Sequence, residues 1–125
     1  MNLVKHVPLE KEAYQKEIIR TLGYSNKTVI KWLRSLVRAG ILSEGMEETT
    51  VKGRRVWVKS YRLTPLGKWI RLLLAAPREL PIEKIRELIR DLFGLYVKSV
   101  VALCKKYRIS LSTLRTDFQD ALTRE

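Results

Sequence analysis

The 125-residue chain has a single cysteine, Cys104, and a single histidine, His6. One thiol excludes an internal disulfide and every cysteine-rich zinc site. One imidazole leaves no material for a multi-histidine metal centre and little for a Ser-His-Asp arrangement. No glycine-rich phosphate loop, no pair of carboxylates at a motif spacing and no nucleophile beside a base occurs, so no enzyme chemistry and no cofactor are expected. No apolar run nears the roughly 18 residues that span a bilayer. The opening MNLVKHVPLEKE lacks the apolar core of a signal peptide, so a cytoplasmic protein is expected. Binding to a membrane surface would need large apolar residues beside a basic face, and only Ile30 and Trp32 offer any.

Acidic residues are the other shortage. The chain carries 25 Lys and Arg against 13 Asp and Glu, a net charge of +12. None of the acids falls between Glu17 and Glu44, where Arg20, Lys27, Lys31, Arg34 and Arg38 lie, and none falls between Glu48 and Glu79. The second gap holds Lys52, Arg54, Arg55, Lys59, Arg62, Lys68, Arg71 and Arg78. A solvated surface would mix signs and gain small i,i+4 pairs. Segregation on this scale implies a polyanionic partner.

The apolar fraction of 46% suits a globular domain. The spacing predicts a helix over residues 9–22, with Tyr14, Ile18 and Leu22 on one face and Gly23 as its stop. Ser25 is placed to cap a second helix that ends at Gly40, with Val29, Leu33, Leu36 and Val37 inward and Lys27, Lys31, Arg34 and Arg38 outward. Two helices joined by so short a turn form a helix-turn-helix corner. Short strands are expected over residues 41–44 and 47–52, and a longer one over 55–63. Lys52-Gly53-Arg54 is the expected hairpin tip. The last strand alternates Trp57, Lys59, Tyr61 and Leu63 against Val56, Val58, Ser60 and Arg62, which puts Trp57 and Tyr61 in the core of the sheet.

Thr64-Pro65 starts a third helix, in which Trp69, Leu72 and Leu73 read as core. After Pro77 and Pro81 the stripe Ile85, Ile89, Leu92, Tyr96, Val100 and Leu103 continues straight through Gly94, predicting one long helix and a surface for dimerisation. A closing helix is expected over about residues 112–122. Cys104 reads as a buried, inert thiol beside that stripe.

At EIIRTLGYSNKTVIKWLRSLVRAGIL the residues resemble the helix pair of archaeal and bacterial winged-helix regulators. YRLTPLGKWI is similar to the strand-to-helix junction after the wing in MarR-like and PadR-like regulators. The two pieces cover about residues 14–75. The resemblance implies a mainly α fold with a small β-wing: a winged helix-turn-helix over residues 1–76 and a helical dimerisation region over 77–125. It implies double-stranded DNA as partner, with the helix over 25–39 in the major groove and the wing over 47–63 on the backbone or in the minor groove. Ser25, Asn26, Lys27, Thr28 and Lys31 would then sit at the duplex, with Asn26 and Lys27 as base readers. Arg34 and Arg38 would reach phosphates, and Lys52, Arg54, Arg55 and Lys59 would supply the wing.

The sequence departs from that family in two ways. Too little chain precedes residue 9 to make the helix that usually leads the pair, so its place must be covered by the C-terminal helices or a partner subunit. Ile30 and Trp32 also occupy positions that are often polar, and Trp32 either packs under the wing or stacks on a sugar. Near the end, ISLSTLRTDF resembles the helix-turn-helix of DeoR-like repressors. With Lys105, Lys106, Arg108 and Arg115 it makes residues 100–122 either a second DNA-contacting unit or a capped dimerisation helix. The reading is a homodimeric transcriptional regulator. Its alternative is a winged-helix accessory or protein-interaction subunit of a replication or transcription complex.

Overall fold

The structure, a computed structural model, describes residues 3–124. It divides into two compact units, one ending at Pro81 and the other starting at Ile82.

The first unit opens with a 3-10 turn, Leu3–His6, then strand β1 (Ala13–Tyr14) and helix α1 (Gln15–Leu22). Helix α2 (Asn26–Arg38) follows, then strands β2 (Leu42–Val51) and β3 (Arg54–Leu63), and helix α3 (Pro65–Leu74). The sheet is antiparallel in the order β1-β3-β2, with Ala13 opposite Tyr61, Leu42 opposite Leu63 and Val51 opposite Arg54.

Three expectations are corrected here. The helix expected over residues 9–22 begins only at Gln15, because Ala13 and Tyr14 are extended to pair with β3. The strands expected over 41–44 and 47–52 are one strand; Gly45 interrupts the apolar pattern but not the ladder. The gap ahead of α1, expected to be covered by the C-terminal helices or a partner subunit, is filled by Leu3, Val4 and Val7. All three are buried in the same cluster as Ile18, Val29, Leu33, Leu36, Leu42, Tyr61 and Leu63. A single turn suffices because its apolar side chains follow one another closely and go directly into the gap.

Helix α2 ends in a hydrogen-bonded reversal. The Ile41 amide donates to the Leu36 carbonyl and the Gly40 amide to that of Val37, with Gly40 at φ 78°. A left-handed residue is required there, and glycine takes it without a Cβ penalty. Thr64 then joins this reversal to α3. Its hydroxyl donates to the carbonyls of Gly40 and Ile41 and accepts from the Gly67 amide at 3.0 Å, while its own amide donates to the Ile41 carbonyl.

Helix α3 turns Gly67 and Ile70 inward. Trp69 and Leu73, both expected in the core, are exposed, Trp69 by about half and Leu73 by 72%, because with Leu66 they fall on a face of this short helix turned away from Gly67 and Ile70.

In the second unit, helix α4 (Ile82–Tyr107) is one continuous element through Gly94, and at 26 residues it is about 39 Å long. Arg108 adopts φ 54° and the Ile109 amide caps the Cys104 carbonyl, after which Ser110 caps helix α5 (Leu111–Thr123). Phe93 and Phe118 bring the two helices into ring contact at 5.7 Å. Leu88 and Cys104 are buried, whereas Ile89, Tyr96 and Leu103 of the expected stripe are exposed. Among the described residues no helix is long and apolar enough to cross a membrane.

A Cβ placed on Gly67 would run into the Ile41 carbonyl, whereas one on Gly94 meets nothing. Gly67→Ala should therefore lower unfolding stability by about 2 kcal/mol, since backbone cannot yield as a flexible side chain would. Gly94→Ala should raise it by about 1 kcal/mol through helix propensity. Urea midpoints of the two variants test the opposite signs.

Candidate nucleic-acid interface

Helix α2 begins where the Ser25 hydroxyl accepts a bond from the Thr28 amide at 3.2 Å and donates to the Thr28 hydroxyl at 2.8 Å. Both side chains are thereby engaged in the cap. Asn26 and Lys27 are left exposed in the first turn, where amide dipoles favour an anion. With Val29, Leu33 and Leu36 buried, Lys27, Lys31, Arg34 and Arg38 form one exposed stripe at spacings of four, three and four. Among the described residues none of these four is ion-paired. Trp32 packs partly on the core and meets the Tyr24 ring edge-on at 4.9 Å, so it braces the turn between α1 and α2.

The wing is built differently. Its tip, Lys52 at φ 51° and Gly53 at φ 78°, is a two-residue turn with both residues left-handed, the geometry that matches the twist of paired strands. Along the shaft the bases are answered by acids. Lys59 meets Glu44 at 3.0 Å, Arg55 meets Glu48 at 3.6 Å, and at the base Arg62 meets Glu12 at 2.6 Å. Lys52 and Arg54 at the tip have no such partner among the described residues. The long acid-free segment of sequence is thus partly compensated by Glu44 and Glu48 of the neighbouring strand and by Glu12. Register alone creates those contacts.

Trp57, expected inside the sheet with Tyr61, is 65% exposed. Of the hairpin, only Leu42, Tyr61 and Leu63 join the core cluster, because β1 reaches no further than Ser60. Beyond that point the ribbon is two-stranded with solvent on both faces. The sheet face that carries Tyr61 and Leu63 into the core continues outward as Lys59, Trp57 and Arg55. Arg34 lies close enough to act on Tyr61 from α2. It partly opposes burial and Glu44, which together push the Tyr61 hydroxyl above its ordinary value. At the inner end of this wing face Tyr61 shares the core with Leu33, the neighbour of Arg34 on α2.

Tyr14 braces the ribbon from the other face. It stands opposite Ser60 and reaches past Gly45 to donate to Glu47 Oε2 at 2.7 Å. Small residues at 45 and 60 leave room for this: a Cβ on Gly45 would already press on the Ser60 hydroxyl. A cavity of about 470 Å³ beside α1 is lined by His6, Lys11, Glu12, Tyr14, Glu17 and Thr21 among others. Among the described residues no group of three His, Cys, Asp or Glu could hold a metal ion.

In the second unit Lys105, Lys106, Arg108 and Arg115 are exposed around the turn between α4 and α5. No strand follows α5 among the described residues.

A helix pair joined at a tight turn, then a β-hairpin braced by a third short strand, then a helix, defines a winged helix-turn-helix. No protein-family model matches the chain, and neither does any curated protein. Among solved structures it is similar to adhesin competence repressor from Streptococcus pyogenes. A C-terminally His-tagged form gives 19% identity and a TM-score of 0.41, covering 98% of this chain and 78% of that one. A second structure of the same repressor gives 17% identity and the same TM-score, covering 98% and 76%.

The Glu47 bond, with some burial and the nearby Glu12 charge, pushes Tyr14 up to about 12 from an ordinary 10.0. The bond is made by the neutral phenol. Its contribution is present below pH 10 and is lost as pH rises through 12. Tyrosinate absorbance of the native protein should show a late step near pH 12 that Tyr14→Phe removes. An unchanged curve in that variant would contradict the brace.

Proposed function

We propose that the protein is a sequence-specific, double-stranded-DNA-binding transcriptional regulator acting as a homodimer. The observation that carries this reading is the unpaired stripe Lys27, Lys31, Arg34 and Arg38 on the exposed face of α2, with Asn26 beside it. A protein contact would favour apolar anchors at such positions. In the reading, α2 enters the major groove with Asn26 and Lys27 at base edges, Ser25 and Thr28 hold the helix start, and Lys31, Arg34 and Arg38 take phosphates. Lys52 and Arg54 reach the backbone from the wing tip. Arg55 and Lys59 stay with Glu48 and Glu44 on the shaft and take no phosphates in this reading.

The exposed Ile89, Tyr96 and Leu103 of α4 support self-association, with Ile85, Leu92 and Val100 completing the contact. A two-fold dimer would set its recognition helices about 34 Å apart on a palindromic site. The basic turn at residues 105–115 serves this helical unit as a capped corner.

Selection of bound duplexes at physiological salt tests the reading. Palindromic half-sites are expected, and diffuse binding without a motif would favour an accessory subunit instead. The slope of log K against log salt should be steep, and Lys31→Ala with Arg34→Ala should flatten it by about two per protomer. Sedimentation equilibrium should give a dimer that Tyr96→Glu with Leu103→Glu converts to monomer while the far-ultraviolet spectrum keeps its helical content.

A further inference from the structure

The projecting part of the wing combines features that the phosphate contacts leave unexplained. From Glu44 to Val51 and from Arg54 to Tyr61 the ribbon is about 25 Å long. On its helix-facing side Trp57 is 65% exposed and Met46, diagonally across the pair, is 52% exposed. Among the described residues the Trp57 indole N–H has no hydrogen-bond partner and its ring meets no other aromatic. A two-stranded ribbon gains little stability from a tryptophan turned to water, and an indole so placed is characteristic of a contact surface.

The charges around it indicate what that surface meets. Glu44 and Glu48 neutralise Lys59 and Arg55 on this same face, so the shaft around Trp57 carries almost no net charge. Among the described residues the cations without an ion pair lie towards its two ends: Lys52 and Arg54 at the tip, and Arg34 on the helix whose Leu33 packs with Tyr61 in the core. A neutral, apolar shaft between two cationic ends matches a duplex crossed by the ribbon. Phosphates meet the ends, and the uncharged sugar walls of the groove lie under the middle.

We infer that Trp57, assisted by Met46, is a nucleic-acid contact of the wing, packing its indole on deoxyribose faces in the groove flanking the site read by α2. The inference rests on the duplex-binding reading above and adds an apolar, sequence-independent term to it. Because the indole displaces no counterion, it contributes affinity without salt dependence, whereas the wing-tip cations contribute both.

A protein whose only tryptophan is Trp57, made by Trp32→Phe with Trp69→Phe, should show a shifted and quenched emission on titration with duplex. It should also gain protection from acrylamide. Trp57→Ala in the native background should weaken binding roughly tenfold, by analogy with aromatic contacts to nucleotides. The salt slope and the selected sequence motif should stay unchanged. Lys52→Ala with Arg54→Ala should instead flatten the slope by about two per protomer. Wild-type affinity in Trp57→Ala, together with emission that saturating duplex does not move, would overturn the inference while leaving duplex binding intact. Absence of duplex binding by the unaltered protein would overturn the functional reading and this inference with it. Should Trp57→Ala fail to fold, the emission and quenching of the single-tryptophan protein decide alone.

Discussion

The arrangement of the first unit depends on the clasp between Thr64, Gly67 and the Gly40–Ile41 turn. Three segments meet there: the end of α2, the first residue before β2 and the start of α3. The Ile41 carbonyl receives both the amide and the hydroxyl of Thr64, and Gly67 lies against it with no side chain between. The Ile41 carbonyl and the Gly67 amide are partly withdrawn from water here, and pairing them avoids part of the roughly 1–3 kcal/mol that an unpaired buried group costs. The direction in which α2 presents its stripe, relative to the ribbon that leaves from Leu42, is therefore fixed by hydrogen bonds and close backbone packing. No long side chain, with its rotamer freedom, intervenes.

Within this frame the electrostatics are divided by element. Helix α2 has no acid within it and, among the described residues, none paired to it, so its cations remain available. The wing shaft is internally balanced, and only its tip is not. A net charge of +12 describes the chain poorly at this scale, since screening limits each exposed charge to about 10 Å. In the proposed complex the division has a use. Helix and tip hold the backbone at two separated points, and the shaft between them needs only shape and apolar contact. The Tyr14–Glu47 bond across Ser60 and Gly45 keeps the ribbon's root from swinging, which matters more if the ribbon rather than the helix alone meets a partner.

Much of this was legible in the residues because it is local. Caps at Ser25 and Thr64, the reversal at Gly40, the hairpin tip at Lys52-Gly53 and the uninterrupted α4 all follow from interactions within a few positions. What could not be read is set by partners far along the chain. Residues 9–14 have a helical pattern, yet two of them are extended because β3 offers a free edge. Leu3, Val4 and Val7 are too few for a periodic signal, but the apolar faces of α1, α2 and the sheet give them a place. Alternation assigned Trp57 correctly to the face of Tyr61. It could not say where along that face the core ends, because this depends on the length of β1. At the candidate interface the basic positions were all visible. The two glutamates across the hairpin that offset some of them, Glu44 and Glu48, were visible as residues but not as neighbours, since cross-strand pairs exist only once the register is known.

The second unit presents the complementary problem of apolar surface. Tyr96 at 66% exposure and Leu103 at 52% lie on a helix of 26 residues. A stripe of this kind is unusual on a monomer and is ordinary at a subunit contact. Burying it in a dimer would link folding to concentration, because the associated state gains stability by mass action. The same linkage bears on recognition. Each first unit carries a short helix stripe of four cations, and one such stripe spans too few base pairs to select a site in a genome on its own. Two stripes related by a two-fold axis read twice the length, and their contributions multiply in the binding constant. In the proposed regulator the exposed stripe of α4 and the cationic stripe of α2 are therefore parts of one device: association supplies the second half of the interface, and the duplex stabilises the association in return.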